Sequence, residues 1–130
     1  MESNTSFHKR RILSFKYALE GIFEAVKEEP NLKFHFIFGY LVILAGIIVQ
    51  LTKLEWMLTV ILIGLVISVE LTNTAIEAVV DSFTTRDHPA AKLAKDISAG
   101  ATLVVAVTSA VVGLMIFMPH LQKLWTLFYP

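Results

Sequence analysis

Three apolar stretches leave this chain little choice of fold. They cover 34–51 (FHFIFGYLVILAGIIVQL), 56–69 (WMLTVILIGLVISV) and 97–118 (ISAGATLVVAVTSAVVGLMIFM). A helix crosses the hydrocarbon core of a bilayer with ~20 mainly apolar residues. The first and third stretches carry the better signal; the second reaches that length only by taking in the polar positions that follow Val69. Of the 130 residues 55% are hydrophobic, well beyond what the core of a soluble domain this size requires. The reading is a single-domain, all-α membrane protein. Its spans are expected over about 33–51, 55–83 and 89–119, preceded by a helix over about 7–28.

Eleven basic residues balance eleven acidic ones, so net charge supports neither a nucleic-acid partner nor a polybasic tail. The absence of cysteine removes disulfides, thiolate nucleophiles and cysteine-ligated metals. The N-terminal MESNTSFHKRRILSFKY has a basic cluster but no apolar core or cleavage site after it, so no signal peptide is expected. The placement of the basic residues sets an orientation. Lys9, Arg10, Arg11, Lys16, Lys27 and Lys33 precede the first span, Lys53 stands alone in the first loop, Arg86, Lys92 and Lys95 follow the second, and Lys123 follows the third. The positive-inside rule then puts the N-terminus and second loop in the cytoplasm and the C-terminus outside. Trp56 marks the outer interface, with Trp125, Phe128 and Tyr129 as an aromatic anchor.

Before the first span, Ile12, Phe15, Leu19, Ile22, Phe23 and Val26 recur at three- and four-residue steps, with Lys16, Glu20, Glu24 and Lys27 between them. That periodicity predicts an amphipathic helix lying on the inner leaflet. Pro30, in EEPN, breaks it by disfavouring helical geometry at Glu29. Asp87 or His88 is placed to cap a helix that starts at Pro89 and runs into the third span. In that span Ser98, Thr102, Ala106 and Ala110 form a ridge of small residues suited to close helix contact. His8, His88 and His120 are scattered singly and suggest no metal site, and His35 reads as a hydrogen-bonding residue near the interface.

Chemistry concentrates after the second apolar stretch, in ELTNTAIEAVVD. Glu70, Asn73, Glu77 and Asp81, at offsets of 0, 3, 7 and 11, fall within about 80° of one another on a helix. Asp81 lies at the cytoplasmic end and Glu70 deepest, roughly 10 Å below Glu77. A carboxylate at such depth is seldom present without ion binding, proton relay or catalysis to perform. Carboxylates at a water boundary suit magnesium, which keeps several waters and takes oxygens from phosphate. A lysine nearby, Lys95, supplies a cation for phosphate. These are the parts of a phosphoryl-transfer site. No glycine of the chain makes a phosphate-binding loop, so the residues alone leave a small ion- or proton-handling subunit as an alternative.

ELTNTAIEAVVD, followed fourteen residues later by KDISAGATL, closely resembles the signature of the bacterial integral-membrane lipid kinases, the diacylglycerol kinase and undecaprenol kinase family. The likeness runs from SFKYALEGI through the third span. It implies a homotrimeric helical bundle in the cytoplasmic membrane, each chain with a surface helix and three spans, using ATP and Mg2+ at composite sites. By the resemblance Glu70 is the general base that meets the lipid hydroxyl, and Glu29 and Glu77 hold the metal. Glu29 is chosen over Glu28 because it stands eight residues after Gly21. Asn73, Glu77 and Lys95 contact ATP and its phosphates, Asp81 and Asp96 support them, and Arg10 and Tyr17 lie near the nucleotide. EEPNLKFHF resembles the Gram-positive branch, which implies undecaprenol as substrate, with diacylglycerol as the alternative. Pro30 departs from the arginine expected there.

Overall fold

The structure, a computed structural model, describes residues 3–84 and 88–128, with side chains over 10–84 and 88–126. It holds four helices: α1 (Ser3–Glu28), α2 (Pro30–Val49), α3 (Lys53–Phe83) and α4 (Pro89–Phe128). Helices α2, α3 and α4 are each long and apolar enough to cross a membrane.

Local chemistry sets each boundary. Glu29 separates α1 from α2 in an extended conformation (φ −95°, ψ 113°), the geometry a following proline favours, and Pro30 opens α2 where its missing N–H costs nothing. At the other end Gln50 adopts a left-handed conformation and Leu51 donates its N–H to the Gly46 carbonyl at 3.1 Å, closing the last turn. Leu51 folds back so closely that a Cβ on Gly46 would stand 2.9 Å from its Cδ1. Thr52 then caps α3 reciprocally: the Glu55 N–H reaches the Thr52 hydroxyl, and the Glu55 carboxylate accepts the Thr52 N–H at 2.7 Å. The result is a tight antiparallel α2–α3 hairpin.

At the start of α4, the His88 ring accepts the Ala90 N–H at 3.3 Å, and His88 is the cap. Asp87 and Arg86 lie outside the described residues. At 31 and 40 residues, α3 and α4 extend about 46 and 60 Å, well beyond a hydrocarbon core of ~30 Å. Their ends therefore project past the lipid. Helix α4 runs through Pro119 and past the 119 at which hydropathy ends the span. In the expected terminal anchor Trp125 is exposed; Tyr129 and the Phe128 side chain lie outside the description.

Helix α3 sits between α2 and α4 and packs most extensively on α4. Gly39 meets Ile63 and Gly46 meets Trp56, so the α2–α3 register puts Leu32 level with Glu70 and Glu29 level with Asn73. On the other side, Lys95–Asp81 and His120–Glu55 pairs tie α4 to the two ends of α3. That register sets Ser98 near the level of Glu77, Thr102 near Asn73 and Ser109 near Val66. The buried apolar set is small (Leu32, Leu51, Val66 and Ile116), while Thr59, Glu70, Asn73 and Ser98 are equally buried polar groups.

Candidate active site

Glu70 is 4% exposed and Asn73 8%, so the inner part of the polar stripe is closed off within one chain. Fully buried Leu32 stands at the level of Glu70 on α2. Among the described residues nothing hydrogen-bonds the Glu70 carboxylate. The Asn73 amide is held on one side only: Nδ2 donates to Glu77 Oε1 at 3.0 Å, one turn on, while its buried Oδ1 has no partner. An amide oxygen closed off from water and unpaired is costly unless something meets it.

At the Phe83 end of α3, Lys95 Nζ lies 3.0 Å from both oxygens of Asp81, across the α3–α4 seam. The pair is partly open, with the Lys95 side chain 35% exposed and Asp81 65%. Its net stabilising value is consequently small, and its geometric effect, aiming an ammonium along the stripe, is larger. Glu29, half-buried between α1 and α2, comes level with Asn73 by the register of the hairpin. Asn73 thus pairs with Glu77 and Asp81 with Lys95 along the polar seam of α3, while Glu70 and, from the α2 side, Glu29 join them by level alone.

The remaining residues expected at the site stand apart from this seam. Asp96 is exposed and pairs with Lys92 one turn back on α4. Arg10 and Tyr17 are exposed on α1. Sequence reasoning passed over Thr102, whose Oγ1 is buried without a partner near the level of Asn73. The four-residue ridge had marked Thr102 as small but not as polar. It also passed over the Thr52–Glu55 pair, which the spacing T-x-x-E carries, and with it a role for His120, whose Nε2 lies 3.1 Å from Glu55 Oε1.

No group of three His, Cys, Asp or Glu side chains that could hold a metal occurs among the described residues. Glu77 and the orphaned amide oxygen of Asn73 fit a magnesium ion that takes most of its ligands from phosphate and water, with Glu29 the carboxylate at the same level on the α2 side. The arrangement offers, in order along α3, a hidden carboxylate able to accept a proton, an amide and carboxylate able to face a cation, and an ammonium able to face phosphate.

The family profile described as prokaryotic diacylglycerol kinase matches residues 16–117. The undecaprenol kinase of Bacillus subtilis is 47% identical over 108 residues, 83% of this chain and 88% of that protein. A diacylglycerol kinase of Synechocystis sp. is 35% identical over 114 residues, 87% of this chain and 65% of that protein. A diacylglycerol kinase of Haemophilus influenzae is 32% identical over 107 residues, covering 82% and 91%.

Proposed function

Since the chain belongs to the prokaryotic diacylglycerol kinase family and is a lipid kinase, we propose that it moves the γ-phosphoryl group of ATP to undecaprenol, giving undecaprenyl phosphate. The undecaprenol kinase relative is 47% identical, against 35% and 32% for the two relatives named diacylglycerol kinases. Diacylglycerol is the second reading, on the strength of those two. Family membership displaces the ion-handling alternative.

The observation that carries the mechanism is the order of groups along α3: buried Glu70 first, then the Asn73–Glu77 pair, then the half-open Asp81–Lys95 pair. A lipid alcohol dissolved in the leaflet reaches Glu70 from the apolar side. ATP reaches Asn73, Glu77 and Lys95 from water. The hydroxyl proton passes to Glu70, the alcohol oxygen bonds to the γ-phosphorus, and the bond to the bridging oxygen of ADP breaks. Glu29 and Glu77 hold Mg2+, which neutralises charge on the phosphates. Lys95 leaves Asp81 for a phosphate oxygen, and Asp81 and Asp96 keep the cationic groups in place. Arg10 and Tyr17 contact the nucleotide from α1, an amphipathic helix on the inner leaflet. The chains assemble as a homotrimer in the cytoplasmic membrane, with N-terminus inside and C-terminus outside.

The test is label transfer from γ-labelled ATP to undecaprenol and to diacylglycerol, each in nanodiscs with the full chain. Undecaprenol is expected to be labelled with the higher kcat/KM. Label confined to diacylglycerol would replace the substrate with the second reading.

A further inference from the structure

His35 lies on the α3-facing stripe of α2 with Gly39 and Gly46, and the hairpin register places it level with Ile67. That is about 4.5 Å along α3 from Glu70, on its apolar side. The half-buried ring packs edge-on against Phe34 (centroids 5.7 Å apart, planes at 72°) and makes no hydrogen bond among the described residues. It also lines a groove of about 490 Å³ between α2, α3 and α4, of the size usual for small-molecule sites. The rest of the lining is apolar apart from the hydroxyls of Thr59 and Ser109, and His35 is its single titratable side chain. The groove reaches Val66, one turn from Glu70, and so continues the proposed lipid path.

We propose that His35 positions the lipid alcohol: its ring N–H holds the substrate hydroxyl oxygen beside Glu70, while the first part of a polyprenol chain lies in the groove. The proposal rests on the reading of Glu70 as the base. A hydroxyl has one donor and two acceptor positions, and an imidazole in either protonation state keeps at least one N–H. The hydroxyl gives its proton to Glu70, presents one lone pair to phosphorus and accepts from His35 with the other. A polyprenol carries no further polar group. Diacylglycerol presents the same hydroxyl and adds two ester carbonyls, for which the groove keeps the unpartnered hydroxyls of Thr59 and Ser109, so the hydrogen bond from His35 serves the reacting hydroxyl of either lipid.

The experiment compares the full-length protein with His35→Phe and His35→Gln in nanodiscs, on undecaprenol and on dioleoylglycerol, with ATP varied separately. His35→Phe is expected to lower kcat/KM for undecaprenol about tenfold or more, the loss of one well-placed hydrogen bond. The loss should fall on either lipid that the parent labels while the KM for ATP holds, and His35→Gln, which keeps a donor, should recover most of it. No loss on a lipid the parent labels, a rise in the KM for ATP that accounts for the loss, or equal damage in both variants overturns the proposal. So does a change in oligomeric mass or melting temperature in His35→Phe large enough to account for the loss, because the groove would then house a second copy of the chain. A parent protein that labels no polyprenol sinks the substrate reading instead, whereas a parent that does, with His35→Phe indistinguishable from it, sinks only the role of His35.

Discussion

Glu70 is a carboxylate hidden within a single chain with no donor of its own, and the next polar group on its helix is an amide already turned toward Glu77. A carboxylate at that depth is seldom without a task, and the one proposed for Glu70 is to accept the proton of the bound alcohol. Glu70→Gln keeps the shape and removes the acceptor. We expect kcat to fall at least about a hundredfold with ATP affinity within about threefold of the parent. Single-turnover rates and nucleotide titration check this, and lost ATP binding with surviving chemistry would reverse the assignment. Glu77→Gln should act differently, raising the Mg2+ concentration needed for half-maximal rate about tenfold by removing one anionic ligand. An unchanged Mg2+ profile takes Glu77 out of the metal shell. Most of these side chains were legible in the sequence because four offsets on one helix fix a common face. The cross-helix pairing was not: that Lys95 is held by Asp81 depends on the register between α3 and α4, which no local pattern encodes, whereas Lys92–Asp96 is an i,i+4 pair that the spacing carries.

Helix limits follow from backbone chemistry, whereas hydropathy reports where lipid ends. That difference explains why the break at Pro30 and the start at Pro89 could be read directly, while α4 continues to Phe128, past the apolar run. The α2–α3 hairpin supplies two tests. Thr52→Ala removes one arm of the capping box and should cost about 1 kcal/mol. Because Thr52 sits at the far end of α3 from the polar stripe, the melting temperature should fall while kcat per folded protein holds. Gly46→Ala should be worse, since the new Cβ would lie 2.9 Å from Leu51 Cδ1 and 3.0 Å from the Trp56 ring. Relieving that overlap costs roughly 1–3 kcal/mol. Thermal melting in detergent distinguishes the two, and a melting temperature unchanged in Gly46→Ala would show that the turn shifts freely. Sequence spacing missed the close approach at Gly46 because it depends on how far Leu51 folds back.

A single chain buries few of its apolar side chains, and large ones such as Phe15, Phe38 and Leu114 stay exposed, leaving lipid and, in the proposed trimer, further copies of the chain to cover them. Within that surface the polar stripe is the exception, because Glu70 and Asn73 are buried and the Asn73–Glu77 and Asp81–Lys95 pairs form without help from a neighbour. Arg10 and Tyr17 stand apart on α1, and a neighbouring chain could draw on them. This separation makes a prediction about the assembled molecule. Glu70→Gln and Lys95→Met chains, coexpressed and purified as mixed trimers, should be no more active than either variant alone, because each site takes its base and its ammonium from the same chain. Were the two supplied by different chains, each mixed trimer of the proposed assembly would hold one intact site in three, about a third of full activity, a recovery easily measured. A negative result has meaning only if mixing occurred, so the two chains carry different affinity tags and tandem purification selects assemblies holding both. Recovery of about a third would place the Lys95 that serves Glu70 on the adjacent chain, and the Asp81–Lys95 contact within one chain would then be a resting arrangement outside the working site.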